Sequence, residues 1–289
     1  MKLLVAGSSG QLAHALVRRS RRFAGAAVVA LGRPELDLVD PASISRALAS
    51  TRPDVVINAA AYTAVDKAES DAAAAFALNR DGAAALAAAA AVAGCPIIHV
   101  STDYVFDGSK SGAYAENDAT NPMGVYGRSK LEGEAAVAAA NARHVILRTA
   151  WIYGAHGHNF LKTMLRLARE GAELRVVADQ RGNPTYAPHL ADAILAMAAR
   201  IGTGQPWGIY HATASGETTW HGFASAIIAA AKPLGVPQGP VRAITTADYP
   251  TPARRPANSC LDCGKLERMF GQRLPPWEQG LTECIAELA

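Results

Sequence analysis

The chain has 289 residues, 50% of them hydrophobic and only 18% charged. That excludes disorder as its main state and provides apolar surface for one large domain or two coupled ones. With 28 basic against 25 acidic residues the net charge is +3, too near balance to argue for a nucleic-acid partner. Met1-Lys2 leads straight into the apolar run Leu3–Ala6 and then Gly7. A secretory signal needs a longer apolar stretch and a small-residue cleavage site. A cytoplasmic setting is therefore expected, with Cys95, Cys260, Cys263 and Cys284 reduced.

Taken in order, Lys2–Ala6 reads as a buried strand, Gln11–Arg22 as a helix and Ala27–Leu31 as a second strand. Ser43–Ser50 is a short helix with Pro41 near its start, and Asp54–Asn58 is a third strand. Asp71–Ala93 is one long alanine-rich helix ended by Gly94. Its apolar part, Ala83–Ala93, is too short to span a bilayer, which takes about 20 residues. Pro96–Val100 is a fourth strand, Ser129–Asn141 a helix and Val145–Thr149 a fifth strand. Strands that are apolar throughout, alternating with helices, predict a parallel sheet covered on both faces. This is a doubly wound α/β (Rossmann-type) fold, whose ligands sit at the carboxyl ends of the strands where strand order reverses.

Beyond residue 150 the pattern loosens. Phe160–Glu170, Leu190–Arg200 and Phe223–Lys232 read as helices. Pro, Gly and Thr are dense from Gly202 to Gly216, and Pro237–Pro256 reads as loop. The expected organisation is a dinucleotide-binding domain over residues 1–150 and a smaller substrate-binding lobe over 151–289, some of it packing back on the first. Cys260 and Cys263 form a C-x-x-C pair, but no second pair at zinc-ribbon spacing and no nearby downstream His follow. No metal site is expected. His156 and His158 read as loop residues.

The first strand runs into Gly7-Ser8-Ser9-Gly10-Gln11-Leu12-Ala13 and a helix. Glycine lets the backbone turn sharply and approach a pyrophosphate closely, and the helix start offers unpaired N–H groups to it. Gly7 and Gly10 are therefore expected at the phosphates, with Ala13 at the third small position of G-x-x-G-x-x-A. The second strand ends Leu31-Gly32-Arg33, without the acid that would hold a ribose 2′-OH. On this reading Arg33 pairs with a 2′-phosphate, which favours NADPH over NADH; the alternative is a solvated loop arginine. Asp37-Leu38 follows, where a carboxylate and backbone can hold an adenine edge.

Tyr126 and Lys130 stand four apart, on one face if the segment is helical. A tyrosine has a pKa of about 10, and an ammonium beside it would lower that value. Y-x-x-x-K alone is common by chance. Here Ser101-Thr102 sits just past the fourth strand, where a hydroxyl can share hydrogen bonds with a substrate carbonyl oxygen. Hydroxyl, tyrosine and lysine behind a dinucleotide fold make a carbonyl-reduction site.

Further stretches make the pattern specific: Asn58–Glu69, Ser101–Gly108 (Ser-Thr-Asp-Tyr-Val-Phe-Asp-Gly), Asn121–Glu132, Arg148–Gly154 and Asp179–Thr185. Toward the end come Arg255-Pro256, Ser259, Leu261-Asp262, Lys265-Leu266 and Phe270-Gly271. With Gly7–Ala13, they resemble the extended short-chain dehydrogenase/reductases, and within them the dTDP-4-dehydrorhamnose reductase family, over essentially the whole chain. The resemblance implies an NADPH-dependent oxidoreductase of dTDP-rhamnose synthesis, reducing the 4-keto group of a nucleotide sugar. It implies Thr102, Tyr126 and Lys130 as the catalytic set, and Gln11 and Leu12 at the pyrophosphate with Gly10. Asp37 and Leu38 would lie by the adenine, and Ala61, Tyr62 and Thr63 along the nicotinamide side. Thr102, Asp103, Tyr104 and Trp151 would contact the sugar; Asp103 reads equally as a loop or cap residue. Aromatics are only 6% of the chain, so Tyr62, Tyr104, Tyr126 and Trp151 at strand ends are expected to line one pocket.

The chain departs from the resemblance where some members hold a bridging magnesium ion with glutamates. Those positions are Ala15 and Pro188, which cannot ligate a metal. A monomer, or a homodimer joined without magnesium, is expected. The rival functions are another nucleotide-sugar 4-ketoreductase, whose stereochemistry one sequence does not fix, and a non-catalytic NADP-binding regulatory subunit. The complete Thr102/Tyr126/Lys130 set argues against the second.

Overall fold

The computed structural model describes residues 1–289 apart from 202, 203, 205 and 206, so the start of the Pro/Gly/Thr-dense stretch from Gly202 lies outside the described residues. The apolar runs become β1 (Lys2–Ala6), β2 (Ala27–Leu31), β3 (Val55–Asn58), β4 (Ile97–Thr102) and β5 (His144–Thr149). Between them lie α1 (Gln11–Ser20), α2 (Pro41–Thr51), α3 (Val65–Ala68), α4 (Ala72–Phe76), α5 (Ala83–Val92) and α6 (Val125–Ala140). Helix α6 begins four residues before the expected Ser129, so Tyr126 and Lys130 are both helical. The second half continues with β6 (Ile152–Tyr153), α7 (Phe160–Arg169), β7 (Leu174–Val177), β8 (Arg181–Gly182), β9 (Thr185–Tyr186) and α8 (Ala187–Arg200). It ends with β10 (Gly208–His211), β11 (Ala214–Ser215), β12 (Thr218–Thr219), α9 (Trp220–Ala230), β13 (Val241–Ile244), α10 (Gly264–Phe270), β14 (Leu274–Pro276) and α11 (Trp277–Leu288).

The main sheet has six strands in the order β2-β1-β3-β4-β5-β10, and every pair is parallel. Strand order reverses between β1 and β3, which puts the crevice of a doubly wound sheet there. Successive side chains of β1 serve opposite faces. Leu3 and Val5 pack with Leu12 and Leu16 of α1 and Leu190 and Ile194 of α8. Leu4 and Ala6 pack with Ile44 and Leu48 of α2 and Leu86, Ala87 and Ala90 of α5. Each fully buried leucine or isoleucine contributes roughly 1.5–3 kcal/mol. Alanines at the α5 contact keep that helix close to the sheet.

Several segments of the second half return to this sheet, among them α10 with Leu266 and Phe270. Strand β10 pairs with β5 in register Gly208↔Val145 to His211↔Arg148, and α8 covers the α1 face. The rest forms its own core from Tyr153, Leu161, Leu165, Phe223, Ile227, Leu281 and Ile285. A parallel pair, β7 with β13, lies in that lobe, the latter inside the stretch expected as loop.

The expected Asp71–Ala93 helix runs without a gap over residues 72–92, but its hydrogen bonding changes midway. A wide π-turn, Ala77–Gly82, separates α4 from α5. Gly133 of α6 is pressed on it so closely that a Cβ there would overlap the Asn79 carbonyl. Such turns are frequent at functional sites because the extra residue re-aims a side chain.

Candidate active site

A cleft of about 380 Å³ opens at the carboxyl ends of β1, β3, β4 and β5. Its floor on one side is the β1–α1 turn. Gly7 has φ +104°, and its Cα lies against the Ala59–Ala60 backbone, so only glycine turns there without strain. Gly10 precedes α1 in an extended conformation with no side-chain cap, and a Cβ on it would meet nothing within 4 Å. The first N–H groups of α1 thus have no side-chain cap, the condition for cradling a pyrophosphate. Ser9, Gly10, Gln11 and Leu12 all line the cleft. Gln11 also looks to the second half: its Nε2 donates to Ile152 O at 3.3 Å, and Asn159 Nδ2 donates to its Oε1 at 2.9 Å.

On the other side, β4 ends in Ser101-Thr102 and α6 presents Tyr126 and Lys130. Helix α6 starts where Glu69 Oε1 accepts the Val125 N–H at 2.7 Å. It lies so close to the loop after β4 that a Cβ on Gly127 would overlap the Tyr104 carbonyl. This is why glycine follows Tyr126. Asn79, aimed by the π-turn, donates to Ser129 Oγ at 2.9 Å and to Tyr62 O at 3.1 Å, and accepts the Tyr62 N–H at 2.7 Å.

Thr102 is buried; its hydroxyl donates to Asp103 Oδ1 at 3.0 Å and accepts from the Tyr104 N–H at 3.2 Å. Burial pushes the Asp103 carboxyl up to about 7. Burial likewise pushes the Tyr126 phenol up to about 12, with a Thr102 hydrogen bond pulling the other way. Lys130 is 1% exposed, and burial pushes it down to about 8 against the opposing pull of Glu134. Its Nζ donates to Val100 O at 2.7 Å and stands 3.3 Å from His99 Nε2. This departs from the expectation that the ammonium lowers the tyrosine. The lysine nitrogen is tied back to the strand, and the phenol stays protonated.

Behind Lys130, Glu134 forms a bidentate ion pair with Arg148, both nearly fully buried, at 2.7 Å at its shortest. Ser101 Oγ donates to Glu134 at 2.5 Å. Glu134 lies four residues past Lys130 on the same helix face, a spacing visible in the sequence. Asn79 gave no such signal, because it depends on the π-turn.

The other candidates divide. Ala61, Thr63, Asp103 and Trp151 line the cleft. Trp151 adopts φ +46°, and its indole stacks on Trp220 at 3.5 Å. Tyr104 stands edge-on to Tyr126, 6.0 Å between ring centres, and lines an adjoining pocket with Glu69 and Met123. Tyr62 is outside the cleft lining: its hydroxyl donates to Asp71 Oδ2 at 3.0 Å and its ring packs against the cluster of Ala68, Ala75 and Val125. The four strand-end aromatics thus do not share one pocket. Arg33 is exposed beyond β2, outside the cleft lining. Leu38 is buried against Gly82 and lies outside the cleft lining. Asp37 Oδ1 accepts the Val39 N–H at 3.1 Å, capping its own turn.

Ala15 and Pro188 both line a second cavity of about 260 Å³. Its glutamates are engaged: Glu283 with His189 at 3.0 Å, and Glu287 with Arg18 and with Tyr186 Oη at 2.7 Å. Among the described residues no group of three His, Cys, Asp or Glu side chains could hold a metal. All four cysteines are free, and the Cys263 thiol accepts the Thr213 N–H at 3.3 Å. No described helix is long and apolar enough to cross a membrane.

The family model for the RmlD substrate binding domain matches residues 1–289. A dTDP-4-dehydrorhamnose reductase of Sinorhizobium fredii is 50% identical over 288 residues, 99% of this chain and 97% of that protein. The crystal structure of a dTDP-4-dehydrorhamnose reductase from Clostridium acetobutylicum superposes with a TM-score of 0.92 at 38% identity, covering 100% of this chain and 99% of the other. That of a Bacillus anthracis dTDP-4-dehydrorhamnose reductase in complex with NADP superposes with a TM-score of 0.90 at 31% identity, covering 99% of each.

Proposed function

The chain belongs to the dTDP-4-dehydrorhamnose reductase family, and from that premise we propose how its residues divide the work. The reaction is the NADPH-dependent reduction of the 4-keto group of dTDP-4-dehydro-β-L-rhamnose to dTDP-L-rhamnose, within the extended short-chain dehydrogenase/reductases.

The residues present fit the cofactor. The uncapped start of α1, with room above Gly10, supports pyrophosphate binding through backbone N–H groups. Gly7, Gln11 and Leu12 complete that turn, Ala61 and Thr63 the nicotinamide side, and Arg33 with Asp37 and the Leu38 backbone the adenosine end. NADPH bound there supplies the hydride for the keto carbon.

The protein's own part is proton delivery and orientation. Tyr126 remains a phenol through the neutral range because burial raises its pKa, so it can give its proton to the far more basic alkoxide. Thr102 hydrogen-bonds the same oxygen, and Lys130 holds the ribose. Asp103 and Trp151 line the sugar's side of the cleft, with Tyr104 next to Tyr126. The observation that carries this reading is the single cleft joining the α1 start to Thr102, Tyr126 and Lys130.

Mixing the protein with NADPH and enzymatically generated dTDP-4-keto sugar, with NMR of the product, tests reaction, cofactor and stereochemistry together. Tyr126→Phe is expected to bind NADPH normally and to lose roughly 100- to 10,000-fold in kcat. Full turnover in that variant would remove Tyr126 from the mechanism. The near-balanced charge and the free cysteines support a cytoplasmic enzyme without a nucleic-acid partner. Ala15 and Pro188 support a monomer, or a dimer not bridged by magnesium.

A further inference from the structure

His99 lies on β4 behind the cleft, fully buried, opposite Asn58 of the neighbouring β3. Three contacts run in line through it. The Ala60 N–H donates to Asn58 Oδ1 at 3.2 Å. Asn58 Nδ2 stands 3.0 Å from His99 Nδ1. His99 Nε2 stands 3.3 Å from Lys130 Nζ, whose other contact is the Val100 carbonyl at 2.7 Å.

The directions of these bonds are not free. A backbone N–H can only donate, so the Asn58 atom facing Ala60 is the oxygen. The atom facing His99 is then the amide nitrogen, which also can only donate. His99 Nδ1 must accept, so the proton of the neutral imidazole sits on Nε2. That N–H points at Lys130. An amine has a lone pair to receive it; an ammonium has none, and would set N–H against N–H at a side chain that is 1% exposed.

We propose that Asn58 and His99 are a positioning pair that fixes the direction of hydrogen bonding at Lys130, with His99 locked in its Nε2–H tautomer. The inference rests on the reading of Lys130 as the catalytic lysine. The pair opposes the lysine's ammonium form from behind the sheet, in addition to burial. The charged and titratable groups around Lys130 are Tyr126 and Glu134 on its own helix, His99 and Asp103 on and after β4, and Arg148 of β5, already neutralised by Glu134. The consequence is a lysine whose ammonium form is less favoured than that of an ordinary lysine.

The test has two arms. In the first, 15N NMR of the histidine-labelled protein, with and without NADPH at about pH 9, reads the His99 tautomer directly. A proton on Nε2 is expected; an Nδ1–H tautomer or an imidazolium overturns the proposal. This arm does not depend on activity, so it stands even if Lys130→Met turned over normally and the catalytic reading failed. In the second, Asn58→Asp keeps the acceptor for Ala60 but turns the donor facing His99 into an acceptor. The tautomer should switch to Nδ1–H, Nε2 should accept from the ammonium, and the alkaline limb of the kcat profile should move up by about one pH unit. His99→Gln, whose amide N–H replaces Nε2–H, should keep the wild-type limb. A switched tautomer with an unmoved limb would show that the pair does not govern Lys130. Should Asn58→Asp fail to fold, the tautomer in the unaltered protein decides alone.

Discussion

The two walls of the cleft are built on different principles. The β1–α1 wall works through its backbone. Gly7 and Gly10 offer no side chain, and what they expose is a row of N–H groups and a helix dipole. The β4–α6 wall works through buried side chains, each held by another: Thr102 by Asp103, Lys130 by His99 and Val100, Ser101 and Arg148 by Glu134. A ligand whose charge is fixed can be met by fixed dipoles. A proton that must move needs groups whose protonation state is set by neighbours, and those neighbours must be buried for their effect to be large.

This contrast predicts a gradient of sensitivity. Glu134→Leu leaves Arg148 buried without a counter-charge, and breaking a buried pair costs about 3–5 kcal/mol. Urea unfolding should show that loss, and a cost below about 1 kcal/mol would mean that the second wall is no more dependent on partnered charge than the first. Gly127→Ala should cost about 1–3 kcal/mol by overpacking against Tyr104 and Pro122, more than the roughly 1 kcal/mol that alanine gains in a helix. The same variant should lower kcat, because the strain falls on the residue after Tyr126.

Next comes pH. Lys130 is pushed down to about 8, so it loses its proton as pH rises through that value while Tyr126, at about 12, keeps its own. The rate with saturating NADPH should fall above about pH 8, approaching tenfold per unit, or about 1.4 kcal/mol. A flat profile to pH 10 (roughly the ordinary lysine value) would show that the ammonium is not the active form. The smallest effect on folding is expected at the first wall. Gly10→Ala puts its methyl into open space and should change stability by less than about 0.5 kcal/mol. NADPH affinity should nevertheless drop, since the methyl occupies the approach to the α1 start.

The first wall was also the more legible one in the sequence. Strands β1 to β5 are apolar runs of ordinary length, and the glycine turn announces itself. The π-turn Ala77–Gly82 has no local signature, because one extra residue per turn leaves no mark in a short helical stretch, and the role of Asn79 depends on it. Strand β10 is only Gly208–His211, with two apolar residues in a Gly- and Thr-rich stretch, and its pairing with β5 is a tertiary fact. Helix α10, at seven residues, is too short to carry a clear period, whereas α11 does carry one, with Trp277, Leu281, Cys284 and Ile285 on its buried face. Of the strand-end aromatics, Tyr62 was misplaced because a position after a strand does not say which way the ring turns. Here the hydrogen bond to Asp71 draws it aside. The lysine's partners needed the register of β3 against β4, which no local pattern contains.

The return of β10 to the sheet also bears on how this chain can be divided. Cut at residue 150, the first half would lose the strand that pairs β5 and the α8 surface that covers α1. The N–H and C=O groups of β5 would become an open edge, and Leu12 and Leu16 of α1 would face water. Such an edge beside bare apolar surface is a template for association with other chains. A fragment ending near residue 150 is accordingly expected to associate with other chains, because β10 and α8 cover surface that the first half alone leaves bare.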